Sequence, residues 1–115
     1  MKILLTGAGG RIGKYICKQL LDSGFQIRAT DFKYVHDFPV KVEVADLRIE
    51  TNPYQLLDGC QALVHLGNIS GMWGQRSPQV VYTENNAINV NVFQAAVDMH
   101  INHIIFSSSI QTISG

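Results

Sequence analysis

Charge is scarce in this chain: charged residues make up 16% of its 115, nine basic against nine acidic, and the formal net charge at pH 7 is zero. That balance leaves no basic footprint for a nucleic acid or an anionic membrane, so a small molecule is the expected partner. Long apolar runs are missing too, and the N-terminus lacks the charged region, apolar core and small-residue cleavage site of a secretory signal. A cytoplasmic location is expected. Only two cysteines occur, Cys17 and Cys60, far apart and in neither a CxxC nor a Cys/His ligand pattern, which argues against a disulfide or a metal centre and for free, mostly buried thiols. Repeats, low-complexity segments and linkers are absent, and the length suits one domain able to bury about two thirds of its unfolded surface.

What is present is a glycine signature. Thr6-Gly7-Ala8-Gly9-Gly10-Arg11-Ile12-Gly13 follows the apolar run Met1-Lys2-Ile3-Leu4-Leu5 directly. Strand, glycine-rich turn and amphipathic helix in succession are the physical recipe for holding a pyrophosphate. Gly7 permits the tight turn, Gly10 lets the backbone approach the phosphates, Gly13 allows close helix-strand packing, and the helix N-terminal N–H groups face the anion.

Periodicity extends the pattern. The helix after the turn is expected from about Arg11, with Ile12, Tyr15, Ile16 and Leu20 as its apolar stripe and Gly24 closing it. A second strand, Phe25 to Thr30, ends in Asp31, eighteen residues after Gly13, where an acid accepts hydrogen bonds from adenosine ribose hydroxyls. An isolated acid there would read as a turn cap; after a glycine fingerprint and a strand, ribose recognition takes precedence. The carboxylate would repel a 2′-phosphate and so favours NAD over NADP, while Arg28 and Lys33 nearby keep NADP open. A third strand over Val40 to Ala45 ends at Asp46-Leu47. A short helix runs from Asn52-Pro53 to Gly59, and a fourth strand from Ala62 to Leu66. Ile69 to Pro78, with Met72 and Trp73, is the longest irregular stretch and lies where ligands bind in open α/β sheets; Trp73 would wall the pocket or anchor the loop. A long helix from about Gln79 to Met99 carries Asn85, Asn86, Asn89 and Asn91, which read most simply as solvent-facing. The last strand, His103 to Phe106, runs into Ser107-Ser108-Ser109.

In this order the motifs resemble the N-terminal part of the extended short-chain dehydrogenases/reductases, the NAD-dependent epimerase/dehydratase family. The resemblance covers the whole chain. It implies a Rossmann-type three-layer α/β fold with about five parallel strands in the order 3-2-1-4-5, over a single NAD(P)-binding domain. Asp46 and Leu47 match the family's adenine-contacting pair. His65-Leu66-Gly67-Asn68 is similar to its His-Leu-Ala-Ala segment, departing at Gly67 and Asn68. Asn85 aligns with the family's Asn-Val-x-Gly-Thr helix, whose Gly-Thr is Ile88-Asn89 here. Phe106-Ser107-Ser108-Ser109 resembles the strand that carries the catalytic serine, which makes Ser109 the catalytic candidate and leaves Ser108 open as its substitute, because Ile113-Ser114-Gly115 is spaced one residue longer than the usual Val-Tyr-Gly. The implied cofactor contacts are Gly7, Gly9, Gly10, Arg11, Ile12, Gly13, Asp31, Phe32, Asp46, Leu47, Leu66, Gly67, Asn68, Asn85 and Ser107, with no metal.

In this family a Tyr-x-x-x-Lys pair does the chemistry, the ammonium lowering the phenol's pKa so that it exchanges a proton while hydride passes to or from the nicotinamide. None occurs here: Tyr15, Tyr34, Tyr54 and Tyr82 are followed four residues later by Gln19, Phe38, Asp58 and Asn86. The expectation is the cofactor-binding portion of a longer enzyme, acting on a nucleotide sugar or similar hydroxylated substrate and inactive by itself. The competing readings are a dinucleotide sensor without catalysis and a Rossmann-like domain for another adenine-containing ligand. An open fifth strand would favour self-association into a homo-oligomer.

Overall fold

The opening apolar run becomes the first strand, β1 (Lys2–Thr6), whose last four residues are buried. The computed structural model describes residues 1–66 and 78–106. After β1 come α1 (Gly13–Asp22), β2 (Gln26–Asp31), β3 (Val42–Val44), α2 (Asn52–Leu57), β4 (Ala62–His65), α3 (Pro78–Asp98) and β5 (His103–Phe106). The strands form one sheet in the order β3-β2-β1-β4-β5, every adjacent pair parallel, as expected.

The two-residue period of β1 sorts the core into two layers. Leu4 points to a cluster with Leu63, the α2 residues Leu56 and Leu57, and Ile88, Val92, Ala95 and Ala96 of α3. Ile3 and Leu5 point the other way, with Ala29, Ala62 and Val64, onto Cys17 of α1. Helices on both faces explain why Ile3, Leu4 and Leu5 of β1 and Ala62, Leu63 and Val64 of β4 are apolar in succession rather than alternating. Both cysteines are free and buried, and burial pushes each thiol's pKa up.

The first helix departs from expectation. It begins at Gly13 rather than near Arg11, because Gly10 and Gly13 still donate backwards in tight turns, to Gly7 O at 3.0 Å and Gly10 O at 3.3 Å. Its stripe is also rotated: Ile12 and Tyr15 are 51% and 66% exposed, whereas Gly13 and Cys17 are buried with Ile16 and Leu20 beside them. Helical spacing alone leaves the phase open; contact of Gly13 with the turn sets it. The helix ends as anticipated, with Gly24 N–H donating to Leu21 O and Phe25 N–H to Leu20 O, the paired bonds of a Schellman motif.

The third strand is shorter than Val40 to Ala45, since Phe38 and Val40 pack onto the α1-side core from the loop and only Val42–Val44 join the ladder. Arg28 locks this edge. Its guanidinium grips Glu43 at 2.6 and 3.1 Å and donates to the carbonyls of Gln55 and Leu56 at 3.0 Å, so it holds the C-terminal end of α2. Tyr54 donates to Asp98, tying α2 to α3. Among the described residues no helix is long and apolar enough to cross a membrane.

Candidate functional site

The glycine turn sits at the carboxyl end of the central strand, between β1 and α1. Gly7 has φ of 66°, a left-handed conformation that a side chain would strain. A Cβ on Gly13 would stand 2.1 Å from the Ala8 carbonyl oxygen, so glycine is required there, although the close approach is to the turn rather than to the strand. Gly9, Gly10, Arg11 and Ile12 form the exposed rim. The first turn of α1 carries no acidic residue and its N-cap, Ile12, makes no side-chain cap bond, so the positive end of the helix faces this rim uncountered. A pyrophosphate fits such a cradle.

Asp31 lies at the tip of β2, 6% exposed. Its Oδ2 accepts from Gly9 N–H at 2.7 Å and its Oδ1 from Phe32 N–H at 2.7 Å. The acid thus shapes the glycine turn itself, a role that its spacing does not reveal, and each oxygen retains a lone pair for a ribose hydroxyl. Farther along this edge a groove of about 360 Å³ is lined by Phe32, Val44, Ala45 and Asp46, with Arg28 and Glu43 at its side. Two residues expected at the adenosine end, Phe32 and Asp46, therefore share one concavity.

The expected partner of Asp46 is an adenine amine, but in the structure its carboxylate is forked by the Arg48 guanidinium at 2.7 to 3.2 Å and accepts from Arg48 N–H at 3.0 Å. The Arg48 hydrogen bonds hold the Asp46 carboxyl below the usual carboxylate range. Arg48 also reaches Glu84 of α3 at 2.5 Å. Leu47 is buried in the α3-side core, so its side chain faces away from the groove. Arg28, considered for a 2′-phosphate, is engaged with Glu43 and the carbonyls of α2; Lys33 stands over the Phe32 ring at 5.8 Å.

On the other flank of β1, His65 ends β4, 1% exposed. The Thr6 hydroxyl lies 2.6 Å from its Nδ1 and the Asn89 amide oxygen 2.9 Å from its Nε2. Phe106 stacks on the ring at 5.5 Å and Phe93 meets it edge-on at 6.2 Å. Burial lowers the ring's pKa, against the opposing effect of the Asn89 bond. Leu66, a candidate cofactor contact, has its N–H donated to Thr6 Oγ1 at 2.9 Å. Asn91 donates to the carbonyls of Leu47 and Arg48, both at 3.0 Å. Asn89 and Asn91 are therefore cross-links rather than solvent-facing, and their repetition in a helix where asparagine is unfavourable was the available signal. Asn85 is partly buried on the same helix, four residues before Asn89. Gly67, Asn68, Trp73, Ser107, Ser108 and Ser109 lie outside the described residues.

A parallel sheet with its glycine turn beside the switch from β2–β1 to β4–β5, and a carboxylate at the next strand tip, defines a dinucleotide-binding class of α/β protein. The chain belongs to the NAD dependent epimerase/dehydratase family, whose model matches residues 3–114. It is 30% identical to cinnamoyl-CoA reductase 1 of Oryza sativa subsp. japonica, over 93% of this chain and 34% of that protein. It is 28% identical to GDP-mannose 3,5-epimerase 1 of the same plant, over 95% of this chain and 31% of that protein. A solved UDP-glucose-4-epimerase from Stenotrophomonas maltophila, with bound NAD and formylated UDP-arabinopyranose, superposes with a TM-score of 0.81 at 21% identity, covering 96% of this chain and 38% of that one. The chain spans about a third of the length of the curated relatives it matches.

Proposed function

We propose that this chain binds NAD across the carboxyl end of its sheet, as the cofactor-binding portion of an NAD-dependent epimerase, dehydratase or dehydrogenase acting on a nucleotide sugar or similar hydroxylated substrate. The observation that carries this reading is the Gly9 N–H bond to Asp31, which joins the phosphate cradle to the acid at the strand tip. In this reading Gly7, Gly9, Gly10, Arg11, Ile12 and Gly13 hold the pyrophosphate; Asp31 and Phe32 meet the adenosine ribose; and Asp46, with Leu47 through its backbone alone, borders the adenine. Leu66, Gly67, Asn68, Asn85 and Ser107 line the nicotinamide half, and Ser109 positions the reacting hydroxyl or carbonyl. The cofactor supplies hydride transfer, and this chain's residues bind and orient it.

Asp31 supports NAD over NADP, because a carboxylate there repels a 2′-phosphate and Arg28 is committed elsewhere. The substrate class is suggested by the relatives that carry nucleotide-sugar names, such as GDP-mannose 3,5-epimerase. No turnover is expected from these 115 residues, which contain no Tyr-x-x-x-Lys. Self-association through β5, whose four residues are all exposed, including Ile105 at 65%, completes the proposal. Calorimetric titration tests it: NAD should bind at least about tenfold more tightly than NADP. Absence of binding to NAD, NADP and ADP-ribose alike would refute the reading, and a clean monomer in light scattering at high concentration would refute the self-association.

A further inference from the structure

His65 is the fully buried ionisable ring of the described residues, and nothing in the binding reading uses it. Asn89 presents its amide oxygen to Nε2 at 2.9 Å, and that oxygen only accepts, so the ring proton sits on Nε2. Nδ1 is then the acceptor for the Thr6 hydroxyl at 2.6 Å, while Thr6 Oγ1 accepts the Leu66 N–H at 2.9 Å. Among the described residues, the groups facing the ring are Thr6 from β1, Asn89 and Phe93 from α3, and Phe106 from β5, and none of these carries a charge. Thr6 is the residue before the glycine turn, and Leu66 is the residue at which the chain leaves β4. One ring therefore ties together the two strand ends that flank the proposed cofactor crevice.

We propose that His65 and Asn89 are a positioning pair for the dinucleotide, fixing Thr6 and Leu66 and so making cofactor affinity depend on a neutral His65 ring; this rests on the reading that NAD occupies that crevice. Protonation of Nδ1 would remove the acceptor of the Thr6 hydroxyl and place a cation among Phe93, Phe106 and an amide, so the hydroxyl must turn and the strand ends must shift. Asn89 orients the ring and touches no part of the crevice itself through this bond.

The test is calorimetric titration of NAD from about pH 8 to about pH 5, in a His36→Gln background that removes the histidine on the loop after β2. Because burial holds the folded ring's pKa below its ordinary value, the parent chain should keep constant affinity through about pH 6.5 and lose it several-fold only in more acidic solution. Asn89→Leu should bind about fivefold to tenfold more weakly at pH 8. Asn89→Asp keeps the acceptor and adds a charge that favours the protonated ring, so its affinity should fall at a pH about one unit higher than in the parent. Loss of folded protein does not produce that upward displacement, and thermal melts of each variant check folding independently. Nitrogen-15 NMR should show the proton of neutral His65 on Nε2. Equal affinities and superimposable pH profiles in the three chains, or a proton on Nδ1, would overturn the pair while leaving dinucleotide binding intact. A parent chain that binds no NAD at any pH would instead overturn the functional reading, and the pair with it.

Discussion

The two flanks of β1 hold the same turn by different means. On the β2 side, backbone N–H groups donate to oxygens of β2: Ala8 to Thr30 O at 3.1 Å and Gly9 to the Asp31 carboxylate at 2.7 Å. On the β4 side, the Leu66 N–H donates to Thr6, and a chain of side chains runs on from Thr6 to His65 to Asn89. The first arrangement asks for one particular residue type, an acid at a strand tip. The second asks for three at once, from β1, β4 and α3, and none of the three retains its worth when another is lost. The glycine turn is thus held by a tolerant flank and a cooperative one.

Removing the shared turn should have the largest effect. Gly13→Ala places a Cβ 2.1 Å from the Ala8 carbonyl oxygen, against backbone that cannot retreat without moving α1. A loss of about 3 kcal/mol or more in a urea titration, with NAD binding abolished, is expected. Next comes the tolerant flank: Asp31→Ala removes the acceptor of two N–H groups and should cost about 2 kcal/mol, whereas Asp31→Asn, which keeps one acceptor oxygen, should cost about half of that by the same measurement. If both substitutions cost the same, the charge rather than the acceptor matters on that flank.

The cooperative flank is read by pH. The folded pKa of His65 lies below its ordinary value of 6.5, so the neutral ring's contribution is complete above 6.5 and shrinks as pH falls toward the folded value. Glu43 and Asp46 are held low, chiefly by hydrogen bonds from Arg28 and Arg48; their contributions are complete above 4.5 and 3.8 and are lost only in more acidic solution. Urea midpoints should therefore show a first decline starting near 6.5 that disappears in His65→Gln, and a second one at lower pH that remains. The smallest effect belongs to Arg48→Ala. Its ion pairs with Asp46 and Glu84 involve a side chain 44% exposed, and a loss of about 0.5 kcal/mol, reduced further by salt, is expected.

The same contrast explains what could be read from the sequence. Gly7 to Gly13, the apolar first strand and the acid at position 31 are signals confined to a few residues, each with its own steric or electrostatic reason, and they carry the family resemblance that implied the strand order. The hydrogen bond from Gly9 to Asp31 spans 22 positions, and no local pattern contains it. Asn89 and Asn91 are conspicuous as residue types, yet their partners lie 24 and 44 positions away, so solvent exposure was the simpler reading. Tyr15 fits a helical stripe by spacing and still faces outward, because the phase of α1 is decided by the contact of Gly13 with the turn. Arg28 is close in sequence to the site and is turned instead onto the end of α2, a destination that only the folded sheet supplies.

β1 is the middle of the sheet, and its partner β4 arrives 59 residues later in the chain, as the pairing of Thr6 with His65 records. β1 must therefore wait for a strand made much later before its second row of amide bonds can close. Closing a loop of that size delays folding far more than it weakens the finished state. Once closed, Leu4 and Leu5 should be among the last amides to exchange with deuterium. A hydrogen-exchange time course would show protection spreading outward from the strand that carries the glycine turn.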